Sequence, residues 1–295
     1  MKRLSIIIVT YKSEKDIYDC IASIWKHCDI NKEELETIIV DNSPESEPMF
    51  GRLRQQYGDE IRLFHNTYNG GYGQGNNVGI RNATAPVIMI MNPDVRLIEP
   101  VFKTALEAFS ANKELCIYGM KQMLTETLPS TNSFCCTYMM NGYLYTVLTA
   151  FGNKFDCYLP QYMHFSGSCF FIRKDMFEDI GLFDESVFMY GEEDDIHYRL
   201  RKKGYTQMEY NPHLHYIHLT KDRKPNLVYE KKLVEVAIQQ NEKKGYAASK
   251  TIKNRMRNAR LMLVREYIRT KIGKKDVALY DMLKDYISTL KNMQS

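Results

Sequence analysis

Between residues 4 and 120, short β-branched runs alternate with helical patterns, and that alternation is the mark of a parallel sheet flanked by helices. The spacing predicts strands over 4–10, 35–41, 61–65, 87–91 and 115–120. Between them it predicts helices over 15–28, 49–57, 74–82, the last entered through a glycine-rich turn, and 101–111. Residues 121–164 lose periodicity and are rich in Tyr, Thr and Asn, so they read as an insertion. The pattern resumes with a strand over 169–173, a helix over 174–180, an acidic loop-to-helix segment at 191–203 and strands about 205–210 and 214–218. Beyond residue 221 only helical spacing remains, over 227–244, 250–271 and 276–293. The expected organisation is an α/β domain over 1–220 and a basic amphipathic helical extension over 221–295.

The 295 residues are 44% hydrophobic and 26% charged, ordinary values for a folded chain that exclude collagen-like and wholly disordered readings. No stretch approaches the ~20 apolar residues of a membrane-spanning helix. Met1-Lys2-Arg3 before Leu4–Val9 resembles a leader peptide, but the apolar run is too short and no small-residue cleavage site follows, so it reads as the first strand. Seven cysteines lack any C-x-x-C pair and Cys135 adjoins Cys136, so neither a disulfide framework nor a zinc knuckle is signalled and a reducing cytoplasm is expected. The net charge of +4 hides a division. Residues 1–220 hold 21 Lys and Arg against 28 Asp and Glu, whereas residues 221–295 hold 19 against 8. A mildly acidic body suits a cation-dependent site, and a basic tail suits phosphates, an anionic membrane surface or nucleic acid.

Open α/β sheets bind ligands beyond the carboxyl ends of their strands. Those ends are polar here: Thr10-Tyr11-Lys12 after the first strand, Asp41-Asn42-Ser43 after the second and Asn92-Pro93-Asp94 after the fourth. Each is also a good turn former; three on one sheet edge are harder to explain as turns alone. Asp41 is suited to accept hydrogen bonds from a ribose or a base N–H. Asp94, a hard oxygen ligand, is suited to Mg²⁺ or Mn²⁺ against a diphosphate, since such ions take one or two carboxylates and complete their shell with phosphate and water. The stretch from Gly70 through Gly71, Gly73 and Gly75 to Asn76 and Asn77 fits neither G-x-G-x-x-G nor a P-loop. Its glycines can bring backbone close to a ligand, and the two asparagines at a helix start can turn amides toward it; a flexible loop capping a helix is the bland alternative.

Glu192-Glu193-Asp194-Asp195 is the densest acidic run. For Asp194 and Asp195 the favoured role is structural: they complement the helix dipole, and Asp195 is spaced to pair with Arg199. Glu192 and Glu193 follow aromatic residues and Gly191, a setting in which a carboxylate stays partly desolvated and can act as a general base. His213 and His215 fall on one strand face and His218 on the other, which disfavours one shared zinc; His218, ending a strand, suits a metal or phosphate contact.

Together these residues resemble the inverting family 2 glycosyltransferases, and within them the rhamnosyltransferase-like branch. The resemblance is carried over about residues 3–220 by Ile8-Val9-Thr10-Tyr11, Val40-Asp41-Asn42-Ser43, the 69–77 glycine segment and Met91-Asn92-Pro93-Asp94-Val95, then by Ser166-Gly167 with Arg173 and the 181–205 segment, closing with 212–218. It implies a GT-A fold, a nucleotide-sugar donor carrying uridine or thymidine diphosphate, a divalent cation, and a glycan or lipid-linked glycan acceptor in surface polysaccharide synthesis. By motif position, Thr10 and Tyr11 flank the nucleoside, Asp41 reads the pyrimidine and Asp94 binds the metal. Glu193 is the base. The family's Asp-x-Asp stands here as Asn92-Pro93-Asp94, and its Glu-Asp base motif as Glu192-Glu193, which leaves open which of the two glutamates is the base. On this reading the 121–164 insertion lines the acceptor pocket and the 221–295 tail rests on the inner face of a membrane, with no nucleic-acid partner. The rival classes are a nucleotidyltransferase, for which the basic triphosphate loop after the first strand is missing, and a nucleic-acid binder, for which aromatic–basic interleaving is sparse.

Overall fold

A computed structural model describes residues 1–45, 47–137, 142–219, 226–271, 273 and 276–294. The chain forms two compact units: residues 1–134 with 158–220, and residues 135–157 with 221–295.

The first unit holds one eight-stranded sheet. Its strands are β1 (Leu4–Thr10), β2 (Leu35–Asp41), β3 (Ile61–His65), β4 (Val87–Met91), β5 (Val95–Leu97), β6 (Leu115–Met123), β9 (Cys169–Arg173) and β10 (Gln207–His218), in the order β3-β2-β1-β4-β9-β6-β10-β5. Pairing is parallel from β3 through β4 and between β6 and β10; β9 runs antiparallel between β4 and β6, and β5 antiparallel on β10. This is the mostly parallel, helix-flanked GT-A architecture that the alternating pattern and the family resemblance imply. Between β6 and β9, β7 (Phe134–Cys136) leads out of the first unit and β8 (Met163–Phe165) follows the return to it.

Helices α1 (Glu14–Lys26), α2 (Glu47–Tyr57), α3 (Tyr72–Asn82), α4 (Phe102–Ala111), α6 (Lys174–Asp179) and α7 (Glu192–Lys203) accompany the sheet. The core forms where strand and helix periods meet: Ile6 and Ile8 of β1 and Ile39 of β2 pack with Ile17, Ile21 and Ile24 of α1 and Phe102 and Phe109 of α4, all buried. On α3 the glycines have a packing role, because a Cβ at Gly75 would stand 2.7 Å from Val9 and one at Gly79 would meet Ile7 at 2.5 Å. Removing those side chains lets α3 lie directly on β1 and β2.

The two strands expected about 205–210 and 214–218 are one. β10 runs through both, with a register shift against β6 between Asn211 and His215, where Pro212 has no N–H to give the ladder. Residues 121–164 also hold more order than their sequence suggests, since β6 continues to Met123 and α5 (Gly142–Lys154) forms; residues 138–141 of that stretch lie outside the described residues. In the second unit, α8 (Leu227–Lys243), α9 (Ala248–Lys271) and α10 (Val277–Asn292) bury Val234, Ile252, Met256, Leu283 and Leu290 together. The basic run 221–224 lies outside the described residues.

At the amino end of the parallel strands, buried Glu36 accepts hydrogen bonds from Ser5 Oγ (2.5 Å), the Thr84 N–H (2.9 Å) and Arg62 Nη1 (2.5 Å), tying β1, β2, β3 and the turn before β4. Burial pushes its carboxyl up, but these donors outweigh that and hold it below the ordinary glutamate value. A depressed folded pKa makes the contribution of ionised Glu36 complete above the unfolded glutamate range and lost as pH falls through the folded value. We expect Glu36→Ala to cost about 2–4 kcal/mol at neutral pH, since it strands buried donors. In chemical denaturation the difference from the parent chain should shrink below about pH 4.

Candidate active site

The residues singled out by the sequence all lie in the first unit, and most follow strands that end on one edge of its sheet. Thr10 and Asp41 are directly opposite at the ends of β1 and β2. Thr10 Oγ1 and Ser43 Oγ each donate to Asp41 Oδ1 at 2.8 Å, so a buried carboxylate is held by two hydroxyls. Lys12 adopts φ 53°, uncommon for a residue with a side chain, and its N–H donates to Ser43 Oγ at 2.8 Å. Half-exposed Tyr11 lies beneath the Lys12 ammonium, 5.4 Å from the ring centre. A cavity of about 450 Å³ opens here, lined by Lys12, Ser13, Asp41, Ser43, Pro48 and Met49 among others, a volume in the range of small-molecule sites.

Asn42 turns away from that cavity. Its amide donates to the Gly71 carbonyl at 3.0 Å and its Oδ1 accepts from Asn66 at 2.8 Å, so it braces the loop before α3. Gly71 and Gly73, expected to bring backbone up to a ligand, also lie close against protein. A Cβ on Gly71, at φ 93°, would collide with the Phe188 carbonyl, and one on Gly73 would stand 3.0 Å from Phe183. Asn76 is buried, donates to the Tyr72 carbonyl at 3.0 Å and leaves its Oδ1 without a partner. Asn77 grips the segment before α7, donating to the Phe183 carbonyl and Glu185 and accepting the Phe183 N–H, all at 2.9–3.0 Å.

After β4 the Asn92 N–H donates to the Ser168 carbonyl at 2.8 Å, just before β9 begins opposite Met91. Asp94 follows. Its carbonyl accepts the Leu219 N–H at 2.9 Å, and its Oδ1 lies 3.3 Å from His218 Nε2, both side chains partly exposed. The two metal-ligand candidates are thus adjacent, whereas His215 pairs with Glu99 at 2.7 Å. One carboxylate and one imidazole form an incomplete shell that fits a cation whose other ligands are phosphate oxygens and water. Among the described residues no cluster of three His, Cys, Asp or Glu side chains could hold an ion without such help.

The third group of candidates opens α7. Tyr190 at φ 83° and Gly191 at φ 85° turn the chain sharply into the helix. The Glu193 carboxyl lies over Gly167, where an added Cβ would come within 3.4 Å of it. Gly167 precedes Ser168, the acceptor of the Asn92 N–H, so the putting of Glu193 and Asp94 on one edge follows from a single loop. Tyr72, at the start of α3, donates from its hydroxyl to the Gly167 carbonyl at 2.6 Å. Burial first, then the charges of Glu192 and Glu193, hold that phenol well above its ordinary value. Glu192 is only 5% exposed, and its Oε1 has no hydrogen-bond partner. Desolvation, then the neighbouring Glu193 charge, raises its pKa to about 8.

Of the two side chains that support this turn, His197 escaped sequence reasoning and Arg199 did not. Buried His197 donates from Nδ1 to the Glu193 carbonyl at 2.7 Å and accepts the Phe165 N–H at Nε2 at 3.3 Å; burial, then the His164 charge, keeps it neutral. Its i,i+4 spacing from Glu193 was the available signal. Arg199 grips Asp195 at 2.7 Å and the Ile180 carbonyl at 2.6 Å, the pairing its spacing predicts.

Residues 5–181 match the model of "Glycosyl transferase family 2", more than half of the chain. The chain belongs to that family. Glu192, Glu193 and His218 lie beyond the matched stretch. Among curated relatives, this family 2 chain is 32% identical over 209 residues to the low-salt glycan biosynthesis hexosyltransferase Agl10 of Haloferax volcanii, covering 68% of this chain and 62% of that protein. It is 23% identical over 245 residues to the uncharacterized glycosyltransferase YfnE of Bacillus subtilis, covering 69% and 62%. The alignments thus span less than two thirds of each relative. Solved structures share the fold at low identity: the mannosyltransferase PcManGT from Pyrobaculum calidifontis in complex with GDP-Man and Mn2+ (TM-score 0.60, 17% identical, 99% of this chain and 76% of that one), and S. aureus TarS 1-349 in complex with UDP (TM-score 0.54, 15% identical, 99% and 92%).

The raised pKa of Glu192 has a stability consequence of opposite sign to that of Glu36. The unfolded chain ionises this group near 4.5, the ordinary glutamate value, and the folded chain near 8, so the native state binds the extra proton and loses stability as pH rises across that window. We expect Glu192→Gln to stabilise the protein by about 1 kcal/mol or more above pH ~8 and by little at pH ~4, measured by denaturant unfolding at both.

Proposed function

We propose that this family 2 protein transfers a hexose, with inversion, from a uridine or thymidine diphosphate sugar to a hydroxyl of a glycan or lipid-linked glycan. The observation that carries the reading is the convergence at one sheet edge of the braced Asp41 cavity, the Asp94–His218 pair and the Glu193 carboxyl over Gly167. Asp41 accepts from the nucleobase, with Thr10 and Ser43 holding its carboxylate in place and Tyr11 flanking the nucleoside. Asp94 and His218 would hold Mg²⁺ or Mn²⁺ together with the donor diphosphate. That cation, when bound, neutralises charge on the departing diphosphate, an effect worth several kcal/mol.

Glu193 takes the proton of the acceptor hydroxyl as its oxygen attacks the anomeric carbon and the bond to the diphosphate breaks. Glu192 is the poorer base at neutral pH, because burial keeps it protonated. It stays beside Glu193 as a neutral neighbour. The rhamnosyltransferase-like assignment rests on Asn92-Pro93-Asp94 in place of two aspartates, and a role in surface polysaccharide synthesis on the family resemblance; the hexosyltransferase relative supports the broader class. The organisation into a catalytic domain over 1–220 and a basic extension over 221–295 belongs to the same reading. The extension rests on an anionic membrane face at the cytoplasmic side, where a lipid-linked acceptor would be met; basic residues near such a surface contribute about 1 kcal/mol each. Among the described residues no helix is long and apolar enough to cross a membrane.

General-base catalysis contributes about 10²–10⁴ in rate. Glu193→Gln is therefore expected to lower turnover by about that factor while leaving donor affinity near the parent value. Asp94→Ala should instead weaken Mn²⁺-dependent binding of the diphosphate sugar. Isothermal titration with uridine and thymidine diphosphate sugars, with and without Mn²⁺, separates the two outcomes; full turnover by Glu193→Gln would move the base elsewhere.

A further inference from the structure

Within the second unit, α5 is built inside out. Its buried side is small and polar: Gly142 abuts the Asn254 carbonyl of α9 so closely that a Cβ would collide, Thr146 bonds Asn258, and Asn153 donates to the Thr149 carbonyl. The contacts 142 to 254 and 146 to 258 share one offset, so α5 and α9 run in the same direction. The opposite side is apolar and in water. Leu144, Val147, Phe151 and Phe155 recur at helical spacing and are 47%, 54%, 54% and 58% exposed. Phe151 and Phe155 pack ring against ring at 4.6 Å, and the Lys154 ammonium lies 5.3 Å from the Phe155 ring centre. On α9, Val264, Tyr267 and Ile268 are also more than half exposed.

A folded protein does not leave such a stripe in water without a use, since scattered exposed apolar residues are common but a contiguous row marks an interaction surface. The charge around it selects the partner. Residues 221–295 carry 19 Lys and Arg against 8 Asp and Glu, and residues 135–157 add one of each sign. A second copy would bring two strongly positive units together, whereas an anionic bilayer answers both the charge and the apolar row.

We infer that α5 is the element that enters an anionic lipid surface, lying in the headgroup layer with Val147 and Phe151 down and the basic helix α9 packed beside it. This rests on the membrane reading proposed above and moves the decisive contact from the basic tail to a helix outside it. Electrostatic attraction is screened by salt and apolar insertion is not, so the two contributions separate by ionic strength.

The test is flotation of the full-length protein with phosphatidylcholine vesicles, with and without phosphatidylglycerol, at low salt and at about 0.5 M salt. The parent chain should float with the anionic vesicles and keep part of that binding in high salt. The double variant Val147→Ser, Phe151→Ser, changed only at exposed positions, should lose the salt-resistant part and bind about tenfold or more weaker, with unchanged helical content and donor affinity. Lys253→Glu with Arg260→Glu should lose the salt-sensitive part instead. Unaltered flotation of the serine variant alongside loss in the charge variant would overturn the role of α5 and leave the basic-tail reading standing. No flotation of the parent under either condition would remove both. A dimer of the parent chain in sedimentation that the serine substitutions dissolve would make the row a self-contact and overturn the inference.

Discussion

The site depends on one antiparallel strand. β9 enters the sheet between β4 and β6 against the direction of both, so the loop before it arrives at the edge where the parallel strands finish. The Asn92 N–H bonded to the Ser168 carbonyl seals that arrival. Gly167, one residue earlier, becomes the floor on which Glu193 lies and the acceptor for Tyr72. Were β9 parallel, the loop before it would sit at the far edge with Glu36, and residues a hundred positions apart would not share a surface.

Glu192 shows two effects in competition at one helix end. The amino terminus of α7 favours negative charge by about 0.3–1 kcal/mol, and backbone N–H groups of Tyr190 and Glu192 add to that. Removal from water outweighs both, helped by the neighbouring Glu193 charge, and the carboxyl stays protonated to about pH 8. Burial, with the adjacent Glu193 charge, thus outweighs the helix end at this position.

Much of this was readable from residue order. Strand and helix periods located β1 to β4 and α1 to α4 to within a few residues, because each has one face in the core and one outside. The strand-end rule located Thr10, Asp41 and Asp94 on one edge, since it follows from parallel pairing. Three things were not readable. Gly71, Gly73, Gly75 and Gly79 each have a packing reason as well, since what each avoids is a side chain or carbonyl from elsewhere in the fold, which residue order does not reveal. α5 has helical spacing, but its apolar row faces outward, so a reading that equates apolar with buried finds no place for it. Nor was it readable that the chain stays in the sheet between 210 and 214, where β10 shifts register against β6 rather than ending.

The segment before α7 is bolted to α3 at two points: Asn77 holds Phe183, and the Phe188 carbonyl receives the Tyr72 N–H with Gly71 pressed beneath it. Two loops far apart in the chain are therefore a single mechanical part. Lengthening either alone would pull the other out of place.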